Sequence, residues 1–149
     1  MKGTMPTVTE SVVIATTPQK AFEFIADAKR ASTFIPGLNR ISNLSTTKPG
    51  VGQDWEFEFN WFGLIISGKA ECKRYEPPTV YQFQTVSGSP STWTYRFAAQ
   101  GDQTRLSLEV EYELPQNMLA RFATQTVLEG MNQNRARETL ANLKALLEP

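Results

Sequence analysis

At 149 residues, with 40% hydrophobic and 20% charged side chains, the chain fits one domain whose core needs no disulfide or metal staple. Fifteen basic and fifteen acidic residues cancel, and neither sign forms a long run, so no nucleic-acid partner is expected. Histidine is absent, which excludes His-built zinc sites, Ser-His-Asp triads and His-ligated haem, and no cofactor is expected.

Thr7 to Ala15 is rich in β-branched residues and reads as a first strand, with Val8, Val12 and Ile14 on one face and Glu10 interrupting it. Thr17 before Pro18 is an N-cap followed by a favoured first helical residue. The helix it starts runs to about Ala28, with Phe22 and Ile25 on its apolar stripe. A second helical turn around Arg30 to Phe34 stops before Pro36-Gly37.

A short strand from Leu38 to Leu44 and a polar loop over Ser45–Gly52 follow. Asp54 to Trp61 alternates cleanly, with Trp55, Phe57, Phe59 and Trp61 on one face and Glu56, Glu58 and Asn60 on the other. Phe62-Gly63 turns the chain into Leu64–Tyr75, whose inward residues Ile66, Gly68, Ala70 and Cys72 are mostly small. Small residues opposite large aromatics are what a bending sheet needs. Thr79–Val86, Ser91–Ala98 and Thr104–Leu114 complete the strands, separated by turns at Ser87–Pro90 and Gly101-Asp102. Tyr81, Phe83, Trp93, Tyr95, Phe97, Leu106, Leu108, Val110 and Tyr112 point inward.

From Pro115 the apolar period changes to 3.6. Leu119, Phe122, Ala123, Val127, Met131, Leu140, Leu143 and Leu147 then mark one stripe of a long helix, interrupted at Gly130–Asn134. No linker or repeat marks a second domain, so residues 1–149 read as one. Consecutive strands with short turns make an antiparallel meander of seven strands, and only the last helix is long enough to cover its apolar face. The expected fold is α+β: a curved sheet gripping a C-terminal helix. No apolar stretch spans a bilayer, the start lacks signal-peptide order, and a cytoplasmic location is expected.

Certain stretches resemble a known superfamily. They are Ser11-Val-Val-Ile-Ala-Thr-Thr-Pro, Ala21-Phe-Glu-Phe-Ile-Ala-Asp, Phe34-Ile-Pro-Gly, Glu76-Pro-Pro, Gly101-Asp-Gln-Thr-Arg-Leu and the ending Leu140-Ala-Asn-Leu-Lys-Ala-Leu-Leu-Glu. Taken together, the chain is similar to the START and birch-pollen-allergen-like helix-grip domains (SRPBCC), in their polyketide cyclase/dehydrase and lipid-transport branch. The resemblance implies an apolar cavity between sheet and helix that takes lipids, sterols, aromatic polyketides or other hydrophobic molecules. It carries no catalytic signature onto this chain.

The candidate cavity residues are Phe57, Phe59, Trp61, Phe83, Trp93, Tyr95 and Tyr112 from the sheet, Met131 and Asn134 from the helix, and Glu10 from the first strand. Aromatics of this size serve a filled core or a cavity wall equally well, and both readings stay open. Buried and unpaired, Glu10 would have a raised pKa and could fix a polar head; the commoner outcome is a carboxylate in solvent or paired with an arginine. Cys72 reads as an inert small core residue. Three functions fit: a noncatalytic carrier or sensor of a hydrophobic small molecule, a cyclase or dehydratase using polar groups among Tyr95, Tyr112, Glu10 and Asn134, and a protein-interaction module. Both monomer and homodimer are compatible with the sequence. Doors to a cavity are expected at Ser45–Gly52, Phe62-Gly63, Ser87–Pro90 and Phe34–Leu38, with Gly130 bordering the cavity.

Overall fold

A computed structural model of the chain describes residues 6–113 and 125–149. Its strands are β1 (Thr7–Ile14), β2 (Leu38–Ser42), β3 (Asp54–Trp61), β4 (Leu64–Glu76), β5 (Val80–Thr85), β6 (Ser91–Gln100) and β7 (Gln103–Tyr112). Between β1 and β2 lie α1 (Pro18–Ile25) and a 3₁₀ helix (Ala28–Thr33), and Gln125–Leu147 forms α2. The strands make one antiparallel sheet in the order β1-β7-β6-β5-β4-β3-β2. From β2 to β7 each strand pairs with its sequence neighbour, while β1 closes the far edge against β7. The β1–β2 connection therefore crosses from one edge to the other, and its two short helices cover that end of the sheet. Among the described residues, no helix is long and apolar enough to cross a membrane.

Local chemistry explains the boundaries. The Thr17 hydroxyl accepts a hydrogen bond from Lys20 N at 3.3 Å and caps α1. The helix stops at Ile25 rather than Ala28 because Asp27 restarts the chain: its carboxylate accepts from Lys29 N at 3.3 Å and caps the 3₁₀ helix. In β4 the pairing with β5 shifts between Cys72 and Arg74. This irregularity reverses the side-chain alternation, so Tyr75, outward by strict parity, turns in and meets Phe22 edge-on at 5.2 Å.

The interior has two halves. Under α1, Phe22, Tyr75, Tyr81, Tyr95 and Phe97 pack ring against ring, with Phe22 wholly buried. Towards β2, β3 and the described start of α2, Trp55, Phe83 and Trp93 still meet ring to ring but border open space.

α2 is laced to both sides by side chains that donate to backbone carbonyls. Gln133 Nε2 reaches Thr9 O at 3.2 Å and Lys144 Nζ reaches Val13 O at 2.9 Å, both on β1. On the other side Arg135 Nη1 meets Pro36 O at 2.6 Å and Asn142 Nδ2 meets Phe34 O at 3.1 Å. Its inward stripe is Leu128, Asn132, Ala136, Leu140 and Leu143, with Arg135 and Thr139 alongside. The sequence stripe through Val127 and Met131 was out of phase by one residue, about 100° of rotation. Val127 is 49% exposed while Leu128 is fully buried. Leu119, Phe122 and Ala123 lie outside the described residues. Gly130 does not border the cavity: it is exposed, and a Cβ there meets no described atom within 4 Å. Substituting Gly130 with Ala is therefore expected to stabilise the chain by about 0.5–1 kcal/mol through helix propensity alone. Equilibrium urea unfolding measures this, and destabilisation would show that the site is crowded.

Candidate functional site

Between α2 and the inner sheet face lies a cavity of about 130 Å³. Its walls are overwhelmingly apolar. The β3 row Trp55, Phe57, Phe59 and Trp61 forms one side, and Phe83 and Trp93, paired across β5 and β6, form another. Phe83 stacks on Trp93 with ring centroids 5.6 Å apart and 14° between planes, and Trp55 meets Phe83 edge-on at 5.6 Å. Ile35 and Leu38 close the cavity beside β2, and the helix contributes Asn132, Arg135, Ala136 and Thr139. These four follow the i, i+3, i+4, i+7 rule of one helix face.

Two glycines permit this packing. At Gly37, with φ +87°, a Cβ would stand 2.5 Å from both Arg135 Nη1 and Asn60 O. At Gly68 it would stand 2.2 Å from Ser87 O, so the turn after β5 folds onto the bare backbone of β4. That turn carries Ser89 and Pro90 to the cavity rim, where exposed Glu113 also lies.

The polar groups gather at one end. Trp61 Nε1 donates to Asn132 Oδ1 at 2.8 Å, and Trp61 meets Tyr112 edge-on at 6.2 Å. Asn132 Nδ2 and Tyr112 Oη are buried without a partner. Burial pushes the Tyr112 phenol up; the Asn132 amide, close enough to act on it but beyond normal hydrogen-bond distance, pulls it down, and the Glu129 carboxylate raises it. Arg135, half-buried, lies over the Phe62 ring at 4.4 Å, and desolvation lowers its pKa. The Trp93 indole is already satisfied by Ser91 Oγ at 3.0 Å.

Of the residues expected at a cavity, Phe57, Phe59, Trp61, Phe83, Trp93 and Tyr112 line it, and Tyr95, Met131, Asn134 and Glu10 do not. Tyr95 belongs to the filled half, stacked on Tyr81 at 6.4 Å, with burial raising its phenol far above the usual range. Met131 packs half-buried against the core, and Asn134 is exposed and accepts from Arg137 Nη1 at 3.4 Å. Glu10 keeps its inward parity, but β1 is an edge strand, so its carboxylate reaches out to pair with Arg137. Cys72 is wholly buried and its thiol is pushed from 9.0 to about 11 chiefly by burial, so it is no nucleophile at neutral pH. From the polar run Asn132–Arg135, which cannot all face solvent on a gripped helix, it is Asn132 and Arg135 that reach the cavity instead of Asn134, and Thr139 joins them unforeseen. Their spacing was legible, but an apolar-stripe search passes over polar residues that face inward.

The expected doors also look different. The Ser87–Pro90 turn is latched: Val86 N and Ser87 N donate to Lys69 O, Lys69 N donates to Ser87 Oγ, and the Thr85 hydroxyl donates to Ser89 O. Of the apolar residues flanking Pro36-Gly37, Ile35 and Leu38 line the cavity, whereas Phe34 is buried away from it.

With this geometry in view, comparison with known proteins is direct. The family described as polyketide cyclase/dehydrase and lipid transport matches residues 5–148. The chain belongs to this family. No curated protein matches it. Among solved structures it is similar to TTHA0849 from Thermus thermophilus, with TM-score 0.76 and 16% identity over 94% of this chain and 95% of that one. Major latex-like protein 151 from Panax ginseng aligns with TM-score 0.72 and 11% identity over 99% of this chain and 100% of that one. The Zhui aromatase/cyclase from Streptomyces sp. R1128 aligns with TM-score 0.69 and 17% identity, covering 96% of this chain and 92% of that chain. At such identities these structures establish the helix-grip fold, and this family member builds its cavity within it.

Proposed function

We propose that this family member binds a hydrophobic small molecule in the cavity beneath α2 and acts as a carrier or sensor without transforming it. The observation that carries the reading is that the inner face between β3, β5 and β6 borders an aromatic-walled space instead of filling it. The cyclase alternative asked for at least two of Tyr95, Tyr112, Glu10 and Asn134 on one cavity, and only Tyr112 lies there. A partner-binding sheet face would carry exposed aromatics. The large exposed hydrophobics among the described residues are Val51, Ile65, Val86, Val127 and Leu146, none of them aromatic.

All three tryptophans of the chain, Trp55, Trp61 and Trp93, line the cavity, so occupancy should register directly in intrinsic fluorescence. Exposure to a library of lipids, aromatics and polyketide-like compounds, read by native mass spectrometry and tryptophan emission, is expected to give retained ligands that change the emission. Retention of none would overturn the reading. Turnover of a retained ligand would replace carrier with enzyme.

A further inference from the structure

The polar end of the cavity specifies a ligand class, and this specification rests on the cavity being a binding site as proposed above. An indole N–H can only donate, so Asn132 must turn its oxygen to Trp61 and leave its NH₂ elsewhere. That nitrogen and the Tyr112 hydroxyl are buried and unpartnered on the same cavity, and Tyr112 is only 7% exposed. Unlike the Tyr95 hydroxyl, which is also unpartnered but lies in the filled half, these two groups border open space, where an occupant that accepts hydrogen bonds would satisfy both.

Arg135 stands three residues further along α2, on the same face. Its Nη1 is engaged by Pro36 O and Phe62 covers one side, but no carboxylate among the described residues pairs with it within 4 Å. A group placed at this end meets neutral donors and a partly desolvated cation, with Glu113 at the rim, Glu129 towards Tyr112 and Glu138 towards Arg135 as the acidic neighbours. An ammonium offers these donors no acceptor, an alcohol offers one oxygen, and a carboxylate offers two oxygens that can serve all three. The remaining wall is aromatic, and about 130 Å³ is close to the ~150 Å³ apolar cavity known to accept benzene.

We propose that the cavity selects a small aromatic carboxylate, with its ring against the Phe83–Trp93 wall and its oxygens at Asn132 Nδ2, Tyr112 Oη and the Arg135 guanidinium. Titrating the full chain at pH 7 with benzoate, acetophenone and toluene, by tryptophan emission and ligand-observed NMR, separates the contributions. Benzoate should bind at least about tenfold tighter than toluene, a difference of about 1.4 kcal/mol, with acetophenone between them. Tyr112→Phe and Asn132→Leu should each weaken benzoate about five- to tenfold and leave toluene within about twofold, as expected for a lost hydrogen bond to a charged group. Tyr112→Phe keeps the ring, so it serves even if Asn132→Leu fails to fold.

Equal binding of benzoate and toluene would overturn the polar anchor while leaving the hydrophobic cavity in force. Acetophenone matching benzoate would overturn the role of charge. If all three probes fail while other apolar compounds are retained, this ligand class is wrong. If nothing at all is retained, the cavity reading falls with it.

Discussion

Replacing Phe22 with alanine is expected to destabilise the chain by about 3–5 kcal/mol, a large part of the 5–15 kcal/mol that holds a typical domain together. Phe22 is completely buried and touches Tyr75, Tyr81 and Phe97 at ring-centroid distances of 5.2, 6.3 and 5.4 Å. Truncation leaves a hole that no neighbouring ring can fill, because those rings are held by one another. Phe83→Ala is the matched control, since Phe83 is only half-buried and one of its sides already faces open space. It should cost about half as much, because fewer packing contacts are lost where a void already exists. Urea unfolding of the two variants gives the comparison. Equal losses would mean that the cavity is packed in solution.

The second large effect is expected at Gly68. A single added methyl would lie 2.2 Å from Ser87 O, 2.7 Å from Ser87 C and 3.0 Å from Gly88 N, all backbone atoms. No rotamer change relieves that, so the Ser87–Pro90 turn must lift and break its bonds to Lys69. Gly68→Ala should therefore cost about 2–3 kcal/mol, the upper range for forcing atoms into a packed site. Because Ser89 and Pro90 belong to the cavity rim, apolar ligands should also bind more weakly. Faster hydrogen exchange at Lys69 and Ser91 would locate the damage, since Ser91 N is held by Thr85 Oγ1 at 2.7 Å. A loss below about 0.5 kcal/mol, the scale of a neutral surface change, would show that the turn has room to yield.

Period-two alternation and turn residues were enough to read all seven strands from the amino acids, because each side chain's face follows from local backbone geometry. The small residues opposite the β3 aromatics were equally plain, and the register pairs Trp55 with Ala70 and Phe57 with Gly68. Six of the ten expected cavity residues followed from that parity, since facing inward is a property of the strand itself.

What parity could not give was which inward rings fill and which enclose. Tyr95 and Trp93 share a strand and a face, yet α1 covers one and leaves the other beside a void. That outcome depends on where a distant helix lands, and no local pattern encodes it. Helix phase failed for a related reason. Asn132, Arg135 and Thr139 are polar by composition but inward by position, and only their tertiary partners Trp61 Nε1 and Pro36 O reveal it. Glu10 took the arginine-paired course of the two open to it, because an edge strand lets an inward carboxylate swing out to Arg137. The sequence by itself determined the sheet, its curvature and its apolar inner face, which are short-range consequences of side-chain alternation and size. The tertiary structure alone decided where the cavity lies and which polar atoms face it, because both are set by contacts between residues far apart along the chain.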